Sequence, residues 1–159
     1  MTIQAGDNIP EVVLKRIREG VETVDTGALF EGRKVVLFAV PGAFTPTCSE
    51  KHLPSYVEHF DTFRQRGIEV YCVSVNDPFV MLAWGKSQNI PDGLQMFADG
   101  NADLVRALGL EMDASAYGMG LRARRFALYV ENGVVKNVFV EAPGEYKVSG
   151  AEYVLEHIG

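Results

Sequence analysis

Residues 34–48 read KVVLFAVPGAFTPTC, and this stretch decides the fold. Its first half, residues 34–40, is a near-continuous apolar run, which is typical of a β-strand that is covered on both faces. A loop with two prolines and a glycine follows it. Thr47 and Glu50 then fit the capping box, in which a threonine caps a helix and an acid lies three residues later. We therefore predict a strand, a loop and a helix, with Thr47 as the N-cap and Cys48 as the first helical residue.

Cys48 occupies a position that favours a reactive thiol. The free backbone amides and the positive end of the helix dipole stabilise a thiolate at the start of a helix. The alternative is a buried, inert cysteine, which is the commoner role of this residue. The preceding loop offers threonine hydroxyls and a backbone shaped by proline rather than large apolar side chains. The local sequence therefore favours a nucleophile.

Strands and helices alternate after Cys48. The helix is predicted to run to about Arg66, where Gly67 ends it. Because Pro54 removes an amide donor inside this helix, we expect a kink near residues 50–54 or an irregular first two turns. The segments that follow are predicted as a strand over 68–75, a helix from Pro78 capped by Asp77, a strand over 95–98 and a helix over 101–108, and a small amino-terminal strand is predicted over 21–24. This alternation favours parallel pairing in an α/β arrangement.

The carboxyl-terminal part of the chain has a different pattern. Residues 126–130 and 134–140 flank Asn132-Gly133, the strongest short-range signal for a type I′ hairpin. A final helix is predicted over 149–157. The whole chain is therefore predicted as a single domain, residues 1–159, with a thioredoxin-like α/β fold. Its central mixed β-sheet is flanked by helices, with amino-terminal additions and a carboxyl-terminal β-hairpin plus helix.

The composition narrows the classes of function. A net charge of −6 and a pI near 5.1 argue against a general nucleic-acid surface. The amino end has neither a basic region nor an apolar stretch, and no segment is long enough to span a bilayer, so we expect a soluble, cytoplasmic protein with no membrane partner. The two cysteines, Cys48 and Cys72, cannot build a disulfide framework. Reduced thiols fit an intracellular compartment.

Three blocks of the sequence resemble one family. Residues 41–54, which contain PGAFTPTCS followed by His-Leu-Pro, are similar to the active-site signature of the peroxiredoxins, in the type II, peroxiredoxin-V-like (atypical) branch. Residues 74–84 and 124–126 extend the resemblance over most of the chain. Lys51 stands where a Cys-x-x-Cys motif would place a second cysteine, so two-thiol exchange is not available locally. The resemblance implies a thiol peroxidase that reduces hydrogen peroxide and alkyl hydroperoxides through a sulfenic acid at Cys48.

The resemblance also assigns roles to side chains. They are Cys48 as the peroxidatic cysteine, Thr45 and Arg125 as its catalytic partners, and Pro41, Gly42 and Thr47 as substrate-binding residues. The Thr45 hydroxyl can donate to sulfur or accept a hydrogen bond from the peroxide O–H, while the Arg125 guanidinium offers several fixed donors. By itself the basic cluster around Arg125 is more typical of a solvated face. Only the resemblance singles out Arg125.

His52 lies one helical turn after Cys48, which could suggest a catalytic dyad or half of a metal site. The chain has only two cysteines and three histidines, with no ligand-spaced pair elsewhere. We therefore expect no metal and no cofactor. A structural hydrogen-bonding role is the favoured interpretation of His52.

The sequence does not decide which thiol reduces Cys48 after it has reacted with peroxide. Mammalian type V members carry a resolving cysteine near the carboxyl terminus, and residues 148–150 contain none. Either an external thiol, from glutathione and glutaredoxin or from thioredoxin, reduces Cys48, or Cys72 resolves it. We favour the external thiol, because Cys72 reads as a small core residue of a central strand. The resemblance also implies a homodimer, and a peroxide sensor that passes oxidation to a partner protein is the alternative function.

Overall fold

The computed structural model describes residues 2–158. Its strands are β1 (Val13–Ile17), β2 (Val21–Asp25), β3 (Lys34–Ala39), β4 (Ile68–Ser74), β5 (Gln95–Ala98), β6 (Glu111–Asp113), β7 (Leu121–Ala123), β8 (Phe126–Glu131) and β9 (Val134–Val140). Its α-helices are α1 (Thr26–Phe30), α2 (Leu53–Glu58), α3 (Phe60–Gln65), α4 (Pro78–Ser87), α5 (Asp103–Leu108) and α6 (Ala151–His157). A π-helical segment, Cys48–His52, leads into α2. No helix within the described residues has the length and apolar character needed to cross a membrane.

Seven strands form one mixed sheet in the order β2-β1-β5-β4-β3-β8-β9. Strands β3, β4 and β5 pair in parallel at its centre, and every other pairing in this sheet is antiparallel. Strands β6 and β7 form a separate two-stranded sheet. This is the predicted thioredoxin-like arrangement, a central mixed sheet in which the antiparallel hairpin of β8 and β9 forms one edge.

Both faces of β3 are covered, which explains its continuous apolar sequence. Val35 and Leu37 pack on one face in a cluster with α5. Val36 and Phe38 pack on the other face, in a cluster with α2, α3 and Trp84. Alternate side chains of a strand point to opposite faces, so a central strand needs apolar residues at every position. Cys48 belongs to the second cluster, which fixes the face of the sheet on which the candidate site lies.

The predicted hairpin is confirmed. Asn132 and Gly133 have φ angles of 47° and 78°, the positive values that a type I′ turn requires at both central positions. The strands predicted over 68–75 and 95–98 are also confirmed, to within one residue. The small amino-terminal strand predicted over 21–24 is β2.

Other boundaries differ from the prediction. The single helix predicted to reach Arg66 is interrupted at His59, between α2 and α3. Helix α5 begins two residues later than predicted, and the Asp99 carboxylate accepts hydrogen bonds from the amides of its first turn. Helix α6 also begins two residues after the predicted start. Four elements are absent from the prediction, β1, α1, β6 and β7, and each is five residues long or shorter.

Candidate active site

The helix that carries Cys48 begins earlier than predicted. Pro46 and Thr47 are already helical, and Thr47 has φ −64° and ψ −37° with no capping hydrogen bond from its side chain. The prediction that Thr47 is the N-cap is therefore wrong. The amide of Ser49 donates to the carbonyl of Thr45 (2.9 Å), so the cap position belongs to Thr45. Cys48 still lies in the first turn, where backbone amides have no intrahelical partner.

A π-helical turn surrounds Cys48, in agreement with the irregularity predicted near Pro54. The amide of Leu53 donates to the carbonyl of Cys48, which is one residue wider than the α-helical spacing. Pro54 has no amide hydrogen, so the ordinary hydrogen-bond ladder cannot continue through this turn. π-Helical turns within α-helices occur frequently at functional sites.

Arg125 lies beside the Cys48 sulfur. Its Nη2 donates to Cys48 Sγ at 3.2 Å, although the two residues are 77 positions apart. Arg125 lies immediately before β8, where its backbone is held because its carbonyl accepts the amide of Glu141 (3.0 Å). Arg122 and Arg124 instead donate to the carbonyls of Met119 and Glu141. Within the described chain, Arg125 is thus the arginine that the fold brings to the thiol.

His52 is buried behind Arg125 and both its ring nitrogens are engaged. Arg125 Nη1 lies 2.8 Å from His52 Nδ1, and His52 Nε2 lies 3.1 Å from the carbonyl oxygen of Ser149. A guanidinium can only donate and a carbonyl can only accept, so the ring is neutral with its proton on Nε2. Burial, and secondarily the charge on Arg125, lower the pKa of His52 to about 3. With both nitrogens used, His52 has no lone pair left for a metal or for a dyad with Cys48.

The loop before Cys48 folds back on itself. The Thr45 hydroxyl donates its only proton to the carbonyl of Gly42 (2.7 Å), which leaves its oxygen lone pairs as acceptors. Gly42 is buried, and a β-carbon there would lie 3.1 Å from the Thr45 methyl group. Of the two uses of Thr45 left open by the sequence, the geometry therefore favours accepting a hydrogen bond over donating one to sulfur.

Residues far along the chain anchor this loop. Asn76 Oδ1 accepts the amide of Ala43 (3.0 Å) and the hydroxyl of Ser74 (2.5 Å). Phe44, the residue after Ala43, adopts a φ of 64°, which is strained for a side chain of its size. The Trp84 indole also donates to the hydroxyl of Ser49 (3.0 Å). The sequence contained these residues as parts of a family motif, but it gave no indication that they support the loop.

A cleft of about 490 Å³ opens beside the site. Four of the predicted site residues line it: Pro41, Thr45, Thr47 and Arg125. The other lining residues include Met112, Ala114, Tyr117, Met119, Ala142 and Pro143. Cys48 itself is buried, and Arg125, which donates to its sulfur, joins it to this cleft.

Glu141 is a component of the site that the sequence reasoning missed. It lies directly after β9, is only 3% exposed, and accepts hydrogen bonds from the amides of Lys147, Val148 and Ser149 and from the Ser149 hydroxyl. Burial alone would raise its pKa, but these hydrogen bonds, of which that from the Ser149 hydroxyl is the largest cause, hold it below its usual value. Its sequence context, an acid at the end of a strand before Ala-Pro-Gly, carries no signal of burial.

Cys72 is fully buried in the centre of the sheet. It lies on β4, between Phe38 of β3 and Met96 of β5, and packs in the same cluster as Cys48. Burial, and secondarily the neighbouring Cys48, raise the pKa of Cys72 well above the ordinary value of a thiol. A protonated thiol is a poor nucleophile.

Comparisons with known proteins show the family to which the chain belongs. The family model described as Redoxin matches residues 4–155. "Peroxiredoxin-2C" of Arabidopsis thaliana is 43% identical, with 97% of each chain covered. The chain belongs to the peroxiredoxins. It is accordingly a thiol peroxidase, and the relatives place it with the type II members; "Peroxiredoxin-2E-2, chloroplastic" of Oryza sativa subsp. japonica is 46% identical over 98% of this chain and 72% of that protein.

Solved peroxiredoxin structures share the whole fold. The reduced Prx3 of Vibrio vulnificus in complex with hydrogen peroxide is 48% identical, with a TM-score of 0.93 and 98% of each chain covered. Peroxiredoxin 5 from Alvinella pompejana is 36% identical, with a TM-score of 0.81 over 87% of this chain and 90% of that one. The predicted family, its peroxiredoxin-V-like relationship and the predicted fold are therefore confirmed.

Proposed function

We propose that Cys48 is the peroxidatic cysteine of this peroxidase. The Cys48 thiolate attacks one peroxide oxygen, an S–O bond forms and the O–O bond breaks. The products are a sulfenic acid at Cys48 and water or an alcohol, whose oxygen leaves with the bonding electron pair and takes up a proton. The observation that carries this proposal is the 3.2 Å contact between Arg125 Nη2 and Cys48 Sγ.

Thr45 and Arg125 have complementary tasks in this step. The Arg125 guanidinium holds the thiolate and stabilises the negative charge that develops on the oxygens. The Thr45 oxygen, with its proton committed to Gly42, accepts the hydrogen bond of the peroxide O–H and so orients the attacked bond. Thr47 and Pro41 line the same cleft, and Pro41 contributes no amide donor there. Gly42 is buried and does not line the cleft, but its carbonyl accepts the Thr45 hydroxyl. The solved Vibrio vulnificus relative with hydrogen peroxide supports this choice of substrate.

A rate measurement tests the role of Arg125. Replacing it with Met keeps much of its length but removes the donors, and we expect peroxide reduction to slow about 100-fold or more, the usual effect of removing one donor aimed at developing charge. Arg64→Met, at an exposed position of α3, is the control. Rates are measured by stopped flow and compared per thiolate. An Arg125→Met rate equal to that of the control would exclude the proposed role.

We further propose that an external thiol, from glutathione with glutaredoxin or from thioredoxin, reduces the Cys48 sulfenic acid. The burial of Cys72 and its raised pKa argue against rapid attack by that thiol. After one equivalent of peroxide, a non-reducing digest should contain Cys48 as a trapped sulfenic acid or a mixed disulfide. A quantitative Cys48–Cys72 disulfide would overturn this. An NADPH-coupled assay that compares the two reductants then identifies the donor.

Two exposed phenylalanines support a homodimer. Phe44 is 55% exposed, and Phe79, in the first turn of α4, is 65% exposed. The hydrogen bond between Ala43 and Asn76 joins the loop that carries Phe44 to the segment that leads into α4. Exposed aromatic side chains grouped on one surface are typical of protein interfaces. We expect sedimentation to show a dimer that Phe79→Glu converts to a monomer. A monomeric wild-type protein at micromolar concentration would contradict this part of the proposal.

A further inference from the structure

Glu141 is a buried carboxylate whose charge is stabilised by hydrogen bonds from one neighbouring segment. Four donors converge on it: the amides of Lys147, Val148 and Ser149, each at 2.8 Å, and the Ser149 hydroxyl at 2.7 Å. An ionised group is costly to bury unless hydrogen bonds replace its water. All four donors come from residues 147–149, so the charge of Glu141 fixes the position of that segment.

The fixed segment selects the tautomer of His52. The carbonyl oxygen of Ser149 accepts the Tyr56 hydroxyl (2.6 Å) and His52 Nε2–H (3.1 Å). A carbonyl oxygen cannot donate, so only the tautomer with its proton on Nε2 fits. That tautomer leaves Nδ1 as an acceptor, 2.8 Å from Arg125 Nη1. The position of the Ser149 carbonyl therefore decides which nitrogen of His52 faces the guanidinium.

The backbone of Glu141 holds Arg125, the hydrogen-bond partner of His52. Its amide donates to the carbonyl of Arg125 at 3.0 Å. One residue thus fixes the Arg125 main chain through its amide and the His52 partner of the guanidinium through its carboxylate. We propose that Glu141 is a positioning residue for peroxide reduction, which aims the Arg125 guanidinium at Cys48 by way of Ser149 and His52.

The physical reason is the direction of the hydrogen bonds. In the other tautomer, Nδ1–H of His52 would face the N–H of Arg125, and two donors cannot bond to each other. The guanidinium would then turn away, and Nη2 would leave its place 3.2 Å from Cys48 Sγ. A displacement of about 1 Å in such a group can cost about 100-fold in rate.

The test compares Glu141→Gln with Glu156→Gln, which removes the same charge from an exposed position of α6. The readouts are the rate constant for peroxide reduction and the ¹⁵N signals of His52, which report the protonated ring nitrogen. We expect wild type and the control to hold the proton on Nε2. Glu141→Gln should lose about 10- to 100-fold in rate and show a mixture of tautomers.

Ser149→Ala keeps the test valid if Glu141→Gln fails to fold. It removes only the hydroxyl donor, and we expect a smaller rate loss together with tautomer exchange. Slow reduction with His52 still wholly protonated on Nε2, or an unchanged rate in a folded variant, would overturn the proposal. The inference rests on the function proposed above, yet its failure is distinguishable. If Arg125→Met left the rate unchanged, the proposed function would fail whatever the tautomer of His52.

Discussion

Acid stability offers a quantitative test of the buried His52. Its pKa is lowered from 6.5 to about 3 in the folded protein, so between these values the unfolded chain binds a proton that the native protein does not. By linkage, this group's contribution to stability is present above pH 6.5 and is lost as the pH falls toward 3. The full shift corresponds to about 5 kcal/mol, and the part lost between pH 7 and pH 5 to about 2 kcal/mol.

His52→Gln removes the titrating group and retains one donor and one acceptor. The variant should be less stable than wild type at pH 7, because its hydrogen bonds to Arg125 and Ser149 are poorer. It should nevertheless lose about 2 kcal/mol less than wild type on going from pH 7 to pH 5. Urea unfolding, followed by the fluorescence of the single tryptophan, measures both differences.

The exposed His157 provides the control. His157→Gln replaces a histidine at the surface of α6 and so measures the effect of the same substitution away from the buried site. Carboxylates titrate mainly below pH 5 and are common to all three proteins, so they cancel in the comparison. Equal losses of stability in wild type and His52→Gln would refute the conclusion that His52 is neutral and buried in the folded state.

Three further substitutions test the support of the site and of the core. Gly42→Ala should slow peroxide reduction about tenfold, because the added β-carbon would displace Thr45; Gly20→Ala, which meets no atom within 4 Å, should leave the stopped-flow rate unchanged. Asp99→Ala removes the acceptor of two amides in α5 and should lower the free energy of unfolding by about 1–2 kcal/mol, measured by urea titration. Ser49→Ala removes the hydroxyl that accepts the Trp84 indole N–H and should cost about 1–3 kcal/mol by thermal unfolding, and an unchanged melting temperature would show that this bond is dispensable.

Local sequence patterns predicted much of the fold. The apolar run of β3, the proline loop that follows it and the Asn132-Gly133 turn each depend on the preferences of a few adjacent residues. Such preferences act within one element and can be read directly. The prediction that Thr47 is the N-cap was wrong, because the local pattern could not show that helical backbone already begins at Pro46.

The candidate site was also only partly predictable from the sequence. The sequence placed Cys48 at a helix start, and a family resemblance supplied Thr45 and Arg125. The hydrogen bonds of the buried His52 could not be predicted, because they join residues 73 and 97 positions apart along the chain.

The sequence by itself thus determined the family, the central strands, the hairpin and the thiol. Only the tertiary structure decided how the thiol's partners are held. In the sequence, Glu141 resembles an ordinary surface acid. Its role arises from its burial against residues 147–149 and from the hydrogen bond that its amide donates to the carbonyl of Arg125. Hydrogen-bond direction, tautomer and burial depend on which distant groups meet, and that is fixed by the packing of the strands and loops in three dimensions.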